Sequence, residues 1–126
     1  MEDKPYHIQY GNKIEVFKRY QVMLDHLDTK LIEIANLKKM LNQFAYDMKQ
    51  KESKHMFAIT NEVDSGNVPK FKNDTSRRAE LNSRLRNDPE YKKLFDANED
   101  TSDQLLDAEL KLQSIKAHLK FYEVNS

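Results

Sequence analysis

The chain has 126 residues, 38% of them hydrophobic and 33% charged, and its 21 basic and 21 acidic side chains cancel to zero net charge. That balance suits long, well-solvated helices better than a dense globule, and no apolar run approaches the roughly 20 residues of a helical membrane span. Cysteine is absent, which excludes a disulfide scaffold and a thiolate zinc site. A soluble protein of a reducing cytoplasm is therefore expected.

Residues 1–12 begin acidic and polar, without a secretory apolar segment, and hold Pro5, Gly11 and two tyrosines. They are expected to form a loosely ordered arm. A long helix is expected over 13–53, with Asn12 as its N-cap. Its apolar stripe reads Phe17, Tyr20, Leu24, Leu27, Leu31, Ile34, Lys38, Leu41, Ala45, Met48. The steps alternate three and four, the period of a coiled-coil seam, and Lys38 is the one polar member.

Over 55–72 the pattern changes. Phe57, Ile59 and Val63 show part of a period of two. Asp64-Ser65-Gly66-Asn67 is a turn signal, with Gly66 free to take positive φ. Val68 to Lys72 can return as a second short strand, with Pro69 on an edge. A short β-hairpin or an ordered loop is expected here. Asn73 to Ser76 is a run of N-cap residues opening a short basic helix over 75–87. Asp88-Pro89 then resets the chain: Pro disfavours αR at Asp88 and suits the first position of a new helix. The last helix is expected over 89–122, with the stripe Tyr91, Leu94, Asn98, Thr101, Leu105, Ala108, Leu112, Ile115, Leu119, Tyr122.

The expected fold is mainly all-α: one domain over 1–126, built as an antiparallel helical hairpin or coiled coil with the 55–72 insertion at its elbow. Placing Met48 near Tyr91 makes partner numbers add to about 139. Lys38 then falls opposite Thr101, and Lys38, Asn98 and Thr101 form a polar layer that fixes register. Leu37, Phe44, Leu106 and Leu110 lie off the seam. That surplus apolar surface points to a homo-oligomer.

Catalytic and cofactor chemistry finds little support. The histidines, His7, His26, His55 and His118, have no partners at metal-site spacing. There is no metalloprotease motif, glycine-rich phosphate loop or nucleophile elbow. Asp96, Glu99, Asp100, Asp103 and Asp107 follow helical spacing and read as a solvated face. No cofactor, metal or enzymatic activity is expected. The charge is unevenly spread, however. Residues 49–93 hold eleven basic and seven acidic side chains, and residues 94–110 hold six acids with no Lys or Arg. Lys70, Lys72, Arg77, Arg78, Arg84 and Arg86 cluster around Phe71. Lys and Arg neutralise phosphates, and an exposed aromatic, whether Phe57, Phe71 or Tyr91, can stack on an unpaired base. These residues form the expected single-stranded DNA site.

The stretch Lys72-Asn73-Asp74-Thr75-Ser76-Arg77-Arg78-Ala79-Glu80-Leu81, with Asn87-Asp88-Pro89-Glu90-Tyr91-Lys92-Lys93-Leu94, resembles small helical proteins of bacteriophages and prophages. The layout over residues 13–122 is similar to recombination mediators of the UvsY type. That resemblance implies an oligomer in a bacterial cytoplasm that binds single-stranded DNA and assists recombination or replication proteins. Two other readings stand beside it. One is a protein-interaction module, an inhibitor or adaptor of a host or phage enzyme whose acidic face over 96–109 mimics DNA. The other is a holdase-like chaperone, by fold-level analogy with prefoldin-like hairpins.

Overall fold

The computed structural model describes residues 13–125. The arm expected over 1–12 and the Asn12 cap lie outside the described residues. The protein is mainly helical: α1 spans Lys13–Asn61, α2 spans Asp74–Arg86 and α3 spans Pro89–Asn125. No helix is long and apolar enough to cross a membrane among the described residues.

The hairpin expected near 55–72 does not form. No strand occurs among the described residues, and a single isolated antiparallel bridge joins Val63 to Pro69. Nothing between residues 54 and 61 breaks a helix, so α1 continues eight residues past the expected end at 53. The intramolecular helix ladder satisfies the backbone amides there, whereas an isolated two-stranded hairpin is marginal in water. The period of two was misleading. In the helix, Phe57 points outward at 73% exposure while Ile59 is fully buried.

Residues 62–73 are an ordered loop. The Asp64 carboxylate accepts hydrogen bonds from the Gly66 and Val68 amides at 2.8 and 3.1 Å. The Asp64 and Lys70 amides donate to the Val68 and Glu62 carbonyls, each at 2.9 Å. The left-handed position of the turn is Asn67, with φ 60°, and not Gly66. A methyl group at Gly66 would meet nothing closer than 3.5 Å, an ordinary contact. Asparagine is among the few residues with a side chain that adopt this conformation readily.

Both shorter elements start as the sequence suggests. Asn73 caps α2 through a capping box, its side-chain oxygen Oδ1 accepting from the Ser76 amide at 2.8 Å. Asp88 caps α3, accepting from the Glu90 and Tyr91 amides at 3.0 and 3.3 Å.

The helices contribute to two compact units, one holding residues 13–37 with 104–125 and one of residues 38–103. In the first unit the segments of α1 and α3 run antiparallel. Its core is Ile34, Leu37 and Ala108, with Leu105 and Leu112 packed on it. Tyr20 donates to Glu123 at 3.4 Å. In the second unit Tyr91 donates to Glu52 at 3.1 Å, His55 meets Asp88 at 2.8 Å, and Ile59, Leu85 and Thr101 are buried.

These contacts correct the expected register. Tyr20 with Glu123, Glu52 with Tyr91 and His55 with Asp88 each add to 143, about one helical turn from 139. Thr101 is then level with Asn42 and not with Lys38. Lys38 is exposed, and Leu37 takes the inward position at 6% exposure. The polar layer of Lys38, Asn98 and Thr101 therefore does not assemble, although Thr101 is buried and Asn98 half-buried. The phase error runs along α1. Val16, Lys30, Leu37 and Phe44 turn further inward than Phe17, Leu31, Lys38 and Ala45. Apolar residues occupy both candidate rows, so the period alone does not choose between them.

Candidate nucleic-acid interface

The residues expected to meet DNA are largely engaged with the protein itself. Arg84 pairs with Glu62 and, at 2.9 Å, with Glu80. Lys70 also reaches Glu62, at 3.1 Å. The two cations hold the Glu62 carboxyl below its ordinary range, Arg84 contributing more. Arg77 donates to the Phe71 carbonyl at 3.3 Å and pairs with Asp74 at 3.4 Å. Phe71 is half-buried, with Lys70 and Arg84 lying 5.6 and 5.9 Å from its ring centre. That is a cation–π arrangement that secures the 62–73 loop to α2. Lys70, Phe71, Arg77 and Arg84 thus serve the fold. Of the expected site, Lys72, Arg78 and Arg86 are exposed and have no ion pair among the described residues.

A second network joins α1 to the start of α3. Asp88, besides capping, accepts from His55 at 2.8 Å and pairs with Lys51 at 3.4 Å. Lys51 also pairs with Glu90. Hydrogen bonding from His55, with the two backbone amides and Lys51, holds Asp88 down to about 2 from an ordinary 3.8. Lys51 holds Glu90 low as well. The sequence shows no partner for His55 at metal-site spacing. Its partner is 33 residues away, and no local spacing signals it.

The sign of the resulting pH dependence follows from linkage. A carboxylate depressed in the folded state stabilises it fully above its unfolded value. That contribution falls away as pH drops through the folded value. The Asp88 contribution is expected to be nearly complete above about pH 5 and to be lost as pH falls through about 2. Thermal melts of Asp88→Asn should lie below wild type at neutral pH, and the gap should narrow on acidification toward pH 2.

The two networks leave the local charge asymmetric. Of the seven acids in 49–93, five are in ion pairs: Glu62, Asp74, Glu80, Asp88 and Glu90. Glu52 accepts from Tyr91, and Asp64 is occupied by loop amides. Seven of the eleven cations, Lys49, Lys54, Lys72, Arg78, Arg86, Lys92 and Lys93, are exposed and without an ion pair among the described residues. The acids, several of them exposed themselves, are matched to donors within the protein, and these seven cations are not.

Within the second unit an open groove of about 900 Å³ runs between α1 and α3, lined by Asp47, Gln50, Lys51, Ser53, Lys54, Glu90, Lys93, Leu94 and Ala97. Of its cations, Lys54 and Lys93 form no ion pair among the described residues. Phe57 lies one helical turn beyond Lys54 on α1, at 73% exposure. Phe95, 45% exposed, follows Lys92 at the same spacing on α3. Exposed aromatics therefore alternate with free cations on the two long helices, where the expected site had placed Phe71 and α2. The i, i+3 pair Lys54 and Phe57 becomes visible in the sequence once residues 54–57 are read as helix.

Among the described residues no group of three or more His, Asp or Glu side chains is placed to hold a metal ion. The chain matches no protein-family model, curated protein or solved structure.

Proposed function

We propose that this protein binds single-stranded DNA without catalysing a reaction, as an accessory to recombination or replication proteins. The observation that carries the reading is the imbalance of charge in 49–93, where the acids are matched by partners within the protein and seven cations have no ion pair among the described residues. Free cations neutralise phosphates and release their counterions. Phe57, nearly bare beside Lys54, offers a face on which an unpaired base stacks. The groove between α1 and α3 gives the strand a path past Lys54 and Lys93. The resemblance of 72–94 to phage proteins supports the accessory role, and a bacterial cytoplasm is its proposed setting.

The test is a titration of fluorescein-labelled oligo-dT, followed by anisotropy at several salt concentrations. Binding is expected to weaken steeply with salt, the slope of log K against log salt falling by about 0.7 per phosphate neutralised. The same oligonucleotide annealed to its complement should bind more weakly, because stacking requires unpaired bases. Absence of binding at low salt would sink this reading and favour a protein-interaction module.

A further inference from the structure

α2 presents one exposed polar row. Arg78, Asn82 and Arg86 are spaced four apart, and none of them has an ion pair or side-chain hydrogen bond among the described residues. At 3.6 residues per turn each step of four rotates about 40°, so Asn82 lies in the middle with one arginine turned to either side. The arginines are separated by about 12 Å along the helix axis. Thr75, Ala79 and Ser83 run beside this row and are exposed as well. Their short side chains let another surface come close to the helix. Of the two acids in α2, Glu80 lies on the opposite side, paired with Arg84, and Asp74 pairs with Arg77.

The chemistry of the row selects its partner. Two guanidiniums without a carboxylate call for a polyanion. A single strand is held by stacking on aromatic rings, and α2 contains none. A helix with its side chains is about 10–12 Å across, which matches the major groove of B-form DNA at about 12 Å. The major groove of duplex RNA is too narrow for side chains to read. We propose that α2 is a second DNA contact, entering the major groove of duplex DNA. Asn82 faces the base edges, where an asparagine pairs with N6 and N7 of adenine. Arg78 and Arg86, turned to opposite sides of it, hold phosphates on the two walls of the groove. This contact uses none of Lys54, Phe57 and Lys93, so it does not depend on the single-strand path.

The test is anisotropy of the full-length protein with a blunt-ended, fluorescein-labelled DNA duplex. Salt-sensitive binding is expected, weaker than that of oligo-dT. Arg78→Ala with Arg86→Ala should reduce duplex affinity at least ~10-fold at low salt, and the salt slope should fall by about 1.8, from two phosphates at about 0.9 each. The same variant should lose less than ~3-fold on oligo-dT. Asn82→Glu, which sets a carboxylate in the middle of the row, should also weaken duplex binding at least ~10-fold. Duplex RNA of the same sequence should bind wild type at least ~10-fold more weakly than the DNA. Helical circular dichroism should not change, since all three positions are exposed. Absence of duplex binding at low salt, duplex RNA bound as tightly as DNA, or arginine variants that lose duplex and oligo-dT affinity equally would overturn the proposal. Should a variant unfold, the comparison of DNA with RNA on wild type decides alone. Oligo-dT and duplex are titrated separately, so failure of this contact is distinguishable from failure of the single-strand reading.

Discussion

Ile59→Ala is expected to destabilise the protein by about 2–5 kcal/mol, the range for truncating a large aliphatic side chain in a packed interior. Ile59 has no exposed surface, and it is the largest side chain so enclosed among the described residues. Phe57→Ala, two residues earlier, is expected to change stability by no more than about 0.5 kcal/mol, as exposed substitutions do. The contrast distinguishes the two candidate conformations of this segment. In a strand, residues 57 and 59 share a face and would respond alike. In α1 they lie on different sides of the helix. Urea denaturation followed by helical circular dichroism reads both values. Equal losses would return 55–63 to a strand.

Lys54→Glu with Lys93→Glu is expected to weaken oligo-dT binding on the order of 100-fold at low salt, by removing two phosphate contacts and replacing them with repulsion. The salt slope should fall by about 1.4 in the same variant. Stability should hardly change, because both lysines are exposed and form no ion pair among the described residues. Arg84→Glu should behave in the opposite way. It sets a third carboxylate against Glu62 and Glu80 and removes a cation from the Phe71 ring, so the loop loosens and stability falls. Phe57→Ala, silent in stability, should lose about 1–3 kcal/mol of binding if one base stacks there. Affinity and stability thus fall to different residues, and the division is the one drawn by the ion pairs.

The sequence announces the helices clearly. Their period alternates three and four over long stretches, and Asn73 and Asp88 stand at the starts of α2 and α3 as cap residues should. The phase of the seam is harder to read. Three adjacent rows of α1 are apolar, and the buried pair is selected by what α3 presents. The residue that bends the loop also escaped, because Asn67 accepts positive φ almost as Gly66 would. The site was half visible. Counting cations in 49–93 locates a basic region. It cannot separate Arg84, held by a carboxylate 22 residues away, from Arg78, which has no ion pair among the described residues. Only the fold divides the structural cations from the free ones, and it moves the expected interface from Phe71 and α2 toward Lys54, Phe57 and Lys93.

The most direct measurement is an NMR titration of the full-length protein with oligo-dT at low salt, following backbone amides and arginine Nε–Hε groups. The largest shifts are expected at Lys54, Phe57 and Lys93, with Arg78 also responding, while the Arg84 Nε–Hε signal stays in place on Glu80. Shifts centred on Arg84 and Phe71 with Lys54 and Phe57 unmoved, or no shifts at all, would contradict the account.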